Sequence, residues 1–284
     1  MVRKFPAIIF IVCACVASSC GRGSRLPEDL SRAEGLLDSR PDSSLIILDS
    51  ASYSESSGRY LYASYCLLRT FAEYNAYKPG IDEGMMNVGV DYFLKYGNRD
   101  RKAQAYYLRA VVREDNKSGN QADWANDLLL ATKEVKGSGN HMLAAMINLR
   151  YAVVLNDRKW YDASLPYLEK GLEEAEKAGS LAFQVTALIN LSHRALFLGD
   201  ADRDYSEAIE YANRAAEISK GDDNDYARAL YNLGACYSRN GQFDKALECA
   251  STAVRAQERL FREGKRKARV RYAVLADAFR KMNI

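Results

Sequence analysis

Catalysis and ligand chemistry need groups that attack, donate or coordinate, and this sequence gathers few of them. Its only histidines are His141 and His193, and neither stands in His-Glu-x-x-His. There is no Gly-x-Ser-x-Gly nucleophile elbow and no phosphate loop; the glycines of Lys136-Gly137-Ser138-Gly139-Asn140 lack that spacing and read as turn residues. The paired carboxylates Glu173-Glu174 and Asp222-Asp223 read as solvated faces or turns. Past the first twenty residues only Cys66, Cys236 and Cys249 remain, an odd number without the close pairs that bind zinc. Cys236 and Cys249 fit either a disulfide or two buried thiols, and the usual burial of cysteine favours thiols. The expectation is therefore no enzyme, no metal and no cofactor, and a chain that acts by binding.

The first residues carry a different chemistry. Arg3 and Lys4 precede an apolar run from Ala7 to Ala17, and Ala17-Ser18-Ser19 supplies small residues before Cys20, the layout of a secretory signal peptide over 1–19. The run is too short to span a bilayer, and no comparable segment is apparent later. Ala17-Ser18-Ser19-Cys20 resembles the lipobox of bacterial lipoproteins, whose cysteine thiol takes a diacylglyceryl group. It departs from that pattern where Ala17 replaces the preferred Leu, and Val12-Cys13-Ala14-Cys15 is a competing box. The resemblance implies a lipid anchor at Cys20 and a short tether over 20–27; ordinary cleavage is the alternative and also implies export. Gly21 resembles lipoproteins sent to the outer membrane. Arg22 and Arg25 do not resemble the acidic surface-export tag of Bacteroidetes lipoproteins, so a periplasm-facing protein is expected, with the lipid as its one membrane contact.

Once Arg3 and Lys4 leave with the signal, 38 Lys and Arg face 37 Asp and Glu, which is no signature of nucleic-acid binding. The balance is uneven. Arg259 to Ile284 holds nine basic residues against Glu263 and Asp277.

The elements that must position any binding groups emerge from an internal repeat. From Leu230 to Val254, Leu230, Leu233, Gly234 and Tyr237 recur at helical spacing, as do Phe243, Ala246, Ala250 and Ala253, with Asn240-Gly241 between them. Two amphipathic helices meet at a tight turn, with small residues at Gly234 and Ala246 where they approach. Leu230-x-x-Leu233-Gly234-x-x-Tyr237 and Ala246-x-x-x-Ala250-x-x-Ala253 resemble the two helices of the tetratricopeptide repeat. The frame returns at Tyr151-Ala152 with Ser164, Leu168 and Gly171, at Leu191-Ser192 with Tyr205, Ala208, Ala212 and Ala215, and at Leu108-Arg109 with Ala125, Leu129 and Thr132. The second of these needs extra residues in a turn from Gly199 to Asp204, and the third a similar insertion around Ser118-Gly119-Asn120. Steps near 40 residues exceed the usual repeat of about 34. RPDSSLIILD and GVDYFLKYGNRDRKAQAYYLRAVV resemble tetratricopeptide lipoproteins and sensors of Bacteroidetes.

The resemblance implies an all-α fold: an α-solenoid of antiparallel helix pairs in a right-handed superhelix over 28–284. Its units are expected near 28–50, 58–96, 101–136, 141–178, 181–220 and 224–262, with a terminal helix at 264–283. Stacked pairs form a concave surface lined by the first helix of each repeat. By resemblance, the exposed inner positions are Tyr106, Arg113, Arg150, Asn190, His193, Arg228, Tyr231, Asn232 and Arg239. The family's carboxylate clamp is not reproduced. Trp124, Trp160 and most tyrosines are expected to fill gaps between helices. Arg266, Lys267 and Arg269 on the terminal helix would either dock an acidic partner or anionic lipid, or solvate a capping helix. The implied function is a non-catalytic scaffold at the cell envelope, holding a protein or peptide; the sensory half of a tetratricopeptide regulator is the alternative. Oligomeric state is left open.

Overall fold

The computed structural model describes residues 25–202 and 204–263. Cys20 and the basic residues Arg266, Lys267 and Arg269 lie outside them. The described residues form twelve α-helices and one short 3₁₀ turn, with no strand among them. They divide into two units, one ending at Tyr92 and one beginning at Phe93.

In the first unit α1 (Glu28–Leu36), α2 (Pro41–Ser50) and α3 (Arg59–Asn75) pack on one another, and α4 (Glu83–Tyr96) begins there. Pro41 opens α2, where a missing N–H costs nothing. Leu30, Ala33 and Leu48 are fully buried, and the Ser44 hydroxyl donates to the Ala33 carbonyl at 2.8 Å. Gly89 lets α4 press onto α3, since a Cβ there would lie 2.9 Å from the Leu67 nitrogen.

The second unit holds four antiparallel pairs: α5 (Arg99–Asp115) with α6 (Gln121–Val135), α7 (His141–Asp157) with α8 (Tyr161–Lys177), α9 (Leu181–Asp202) with α10 (Ser206–Ile218), and α11 (Asp223–Arg239) with α12 (Phe243–Arg262). Side chains that start helices locate them. Asn98, Asn120, Asn140 and Asp222 each accept a backbone N–H from the first turn of α5, α6, α7 and α11. The small residues of the repeat, Ala152, Ser164, Ala208, Ala246, Ala250 and Ala253, are all buried where paired helices meet. At Gly171 a Cβ would stand 2.5 Å from Leu149 Cδ2, so glycine sets how closely α8 lies on α7. The backbones of the odd-numbered helices approach in succession, α5 to α7, α7 to α9 and α9 to α11, whereas among the described residues those of the even-numbered helices stand farther apart. Layers that converge on one side curve toward it, so α5, α7, α9 and α11 line the concave face of an α-solenoid.

Four sequence expectations change. The extra residues of the third pair extend α9 through Asp202 instead of forming a loop from Gly199. Gly199 is required beyond them, because a Cβ there would lie 2.1 Å from the Asp204 carbonyl oxygen. A later apolar segment does exist: Leu181–Gly199 is long and apolar enough to cross a bilayer, but it packs against α7, α8, α10 and α11 and buries Val185, Leu188 and Leu191 among them. Part of that apolarity is buried in these contacts, while Leu181, Phe197 and Leu198 stay exposed. Trp160 fills no gap; it is 55% exposed at the start of α8, with the Arg158 guanidinium 5.3 Å from its ring centroid. Glu174 is not a solvated carboxylate but is only 6% exposed.

Candidate binding site

Cys66, Cys236 and Cys249 are free thiols. Burial pushes Cys66 and Cys249 up to about 11 and raises Cys236, which keeps all three protonated and unreactive near neutral pH. No group of His, Cys, Asp and Glu among the described residues could hold a metal ion.

Five of the nine inner-face residues converge. Asn190 and His193 of α9 and Arg228, Tyr231 and Asn232 of α11 line one cavity of about 390 Å³, together with Ile189 and Gln257. Repeat geometry explains the convergence: Asn190 and Asn232 each stand two residues before the small residue of their helix, so both project from the same side of adjacent inner helices.

A hydrogen-bond chain orients the cavity floor. The Ser192 hydroxyl, fully buried, has the Ala208 carbonyl at 2.9 Å as an acceptor and gives its proton there. It must then accept from Asn232, whose Nδ2 lies 2.8 Å away. That fixes the amide: Asn232 Oδ1 faces away from Ser192, is buried and has no hydrogen-bond partner of ordinary geometry among the described residues. The neighbour nearest in effect is His193. The ring is open to solvent on one side and crowded by protein on the others; the crowding lowers its pKa, against an opposing pull from Asn232, so the imidazole is neutral at pH 7.

The rest of the lining is also close to neutral. Arg228 donates to the buried Asp225 carboxylate at 2.7 Å and to the Thr186 hydroxyl at 3.1 Å, which compensates its charge and ties α11 to α9. Asn190 Nδ2 donates to the Thr186 carbonyl of its own helix at 2.9 Å. Tyr231 is half-buried against the core of the last two pairs. Amides, a neutral imidazole and a phenol around Ile189 suit uncharged polar groups, not a fixed charge.

The other four residues do not join this cavity. Tyr106 stacks under Arg109, whose guanidinium lies 5.5 Å from the ring centroid and grips Asp127 through two bonds of 2.7 and 2.5 Å. Arg150 is ion-paired to Glu114 across α5 and α7. Arg113 is half-buried at the end of α5, and Arg239 is exposed at the end of α11. Gln257 was missed because it belongs to α12, a second helix. Its signal was an amide on the stripe that also carries Ala253 and Leu260, all three buried.

Residues 192–259 match the tetratricopeptide repeat family. That segment is similar to tetratricopeptide repeats. It takes in most of the cavity: Ser192 and His193 of α9 and all of α11. Solved structures extend the likeness in fold to most of the chain. The apo form of RapI superposes with a TM-score of 0.66 at 13% identity, over 90% of this chain and 71% of that one. A Rap protein complexed with competence and sporulation factor gives 0.60 at 14%, over 90% and 74%. BtubC (BKLC) from P. vanneervenii gives 0.58 at 18%, over 86% and 91%. At such identities the likeness extends to fold alone. No curated protein matches the chain in sequence.

Proposed function

We propose that this tetratricopeptide protein is a non-catalytic binding module that holds an extended peptide segment of a partner in the concave seam between α9 and α11. The observation that carries the reading is the buried Asn232 carbonyl oxygen, oriented by Ser192 and with no donor at ordinary hydrogen-bond geometry among the described residues. Leaving such an oxygen unpaired costs about 1–3 kcal/mol, and a peptide N–H would remove that cost. Asn190 and neutral His193 offer further donors and acceptors along the seam, and Tyr231 offers an apolar face. The compensated charge of Arg228 favours main-chain groups over acidic tails. A Rap protein of similar fold has been solved complexed with competence and sporulation factor, which accords with a solenoid that holds a ligand.

The test selects peptides from a random-sequence library on the wild-type chain and measures their affinity by fluorescence anisotropy. Tyr231→Ala and Asn190→Ala should each weaken the selected peptides about tenfold, while Arg239→Ala, outside the cavity, leaves them unchanged. Equal affinity for all three variants would sink the proposal.

The location belongs to the same reading: an outer-membrane lipoprotein anchored through Cys20, with the repeats facing the periplasm. Its support is Ala17-Ser18-Ser19-Cys20 behind a signal-like run. Radiolabelled palmitate should enter the wild type and not Cys20→Ser; label that persists in the variant removes Cys20 as the anchor.

A further inference from the structure

We infer that a groove on the outer face, between α6 and α8, is a second binding site, for an organic anion with an apolar body, such as a medium-chain carboxylate. The groove encloses about 890 Å³, more than twice the concave cavity and within the range of small-molecule sites. It opens because the even-numbered helices of a solenoid diverge. The next such gap, between α8 and α10, is bridged by Arg214 and Glu176 at 2.8 Å, whereas among the described residues no ion pair spans α6 and α8. The Lys136–Asn140 turn forms one wall, with Gly137 and Gly139 at φ of 74° and 80° and nothing within 4 Å of where a Cβ would point.

The lining separates into an apolar floor and a basic rim. Leu129, Val135, Ala144 and Tyr167 supply the floor. The buried Glu174 carboxylate is the one acid of the lining, and it is already neutralised: His141 Nδ1 lies 2.6 Å from it and Lys170 2.9 Å. Lys170 and Lys177 also share the neighbouring Glu173. Internal charge is thus compensated, and the surplus sits at the rim, where Lys133 and Lys136 are exposed and form no ion pair among the described residues. A floor that would shed water onto an alkyl or aryl body, beside two unpaired ammonium groups, is the complement of an amphipathic anion. A purely structural account has the two lysines only complementing the carbonyl end of α6. It predicts an effect on stability and none on ligand affinity.

Isothermal titration of the full chain with decanoate, and with decanol as the uncharged analogue, separates the two. Decanoate should bind saturably at one site. Lys133→Glu with Lys136→Glu should weaken it at least about tenfold while decanol changes little. Leu129→Trp, which fills the floor, should remove both, and Lys245→Glu on α12 should change neither. The proposal is overturned if decanoate shows no saturable site, or if the double reversal behaves like Lys245→Glu. The charge reversals lie on exposed positions, so their reading survives even if Leu129→Trp fails to fold.

Discussion

The seam between α5 and α7 and the seam between α9 and α11 are built on one geometry and end differently. The residue two before the small position of the first helix is Arg150 in α7 and Asn232 in α11, and both reach back to the preceding inner helix. Arg150 meets Glu114 and closes its seam with an ion pair. Asn232 meets Ser192, itself a small residue of the repeat, and leaves a buried oxygen facing a cavity. The solenoid thus delivers a side chain to the same place in each repeat, and residue type decides whether that place is sealed or open.

Exchanging the two residues breaks the comparison most severely. Asn232→Arg brings a charge against Ser192 with no carboxylate opposite, since Asp225 is already engaged by Arg228. It should cost about 3–5 kcal/mol in urea denaturation, the range for an uncompensated buried charge. The reverse change, Arg150→Asn, removes one half-exposed partner and should cost under about 1 kcal/mol. Equal costs would mean that the seams are not distinct.

The next effect lies between paired helices. Gly171 and Ala253 are the same repeat position, but Leu149 crowds only the first. Gly171→Ala should therefore cost about 1–3 kcal/mol by overpacking, and Ala253→Gly about 1 kcal/mol through helix propensity and lost packing. Both are readable as shifts in the denaturation midpoint.

Acid should act on the α7–α8 pair through Glu174, whose equivalent position in the α11–α12 pair is Ala256. Burial raises the Glu174 carboxyl, but Lys170 and His141 outweigh it and leave its pKa below the ordinary 4.5. A depressed carboxylate contributes stability that is complete above about 4.5 and lost as pH falls through the lower folded value. Thermal melts should show the wild type losing stability below that pH and Glu174→Gln losing less of it.

The smallest effect is at the turns. Lys159 occupies the position that Gly241 holds in the last pair, and both have positive φ, 62° and 74°. Lys159→Gly should gain a few tenths of a kcal/mol, because left-handed backbone disfavours a side chain while glycine raises the entropy of the unfolded chain. A loss of stability would show that the lysine stem packs in a way its backbone alone does not require.

Much of the helix pairing was legible from spacing. Asn240-Gly241 marked a turn, and the small residues Ser164 and Gly171 of α8 and the buried alanines of α10 and α12 marked the contact stripes, because the groups that meet within a pair are close along the chain. Where spacing misled, a distant contact was responsible. Glu174 looked solvated because nothing within its own helix tells that His141, 33 residues earlier, approaches it. Residues 136–140 read as a turn and are one, but that they wall a groove depends on α8 lying opposite.

The sequence by itself therefore determined an all-helical chain, the partners within each helix pair and the faces they bury, since periodicity and small residues act over a few turns of helix. The tertiary structure alone decided what meets across repeats: Asn232 with Ser192, Arg150 with Glu114, and the divergence of α6 from α8. Those contacts span about 40 residues, roughly one repeat step, and their geometry follows from how each pair stacks on the last. No local pattern encodes that stacking angle, and it is the angle that turns a row of similar helices into one sealed seam, one open cavity and one outer groove.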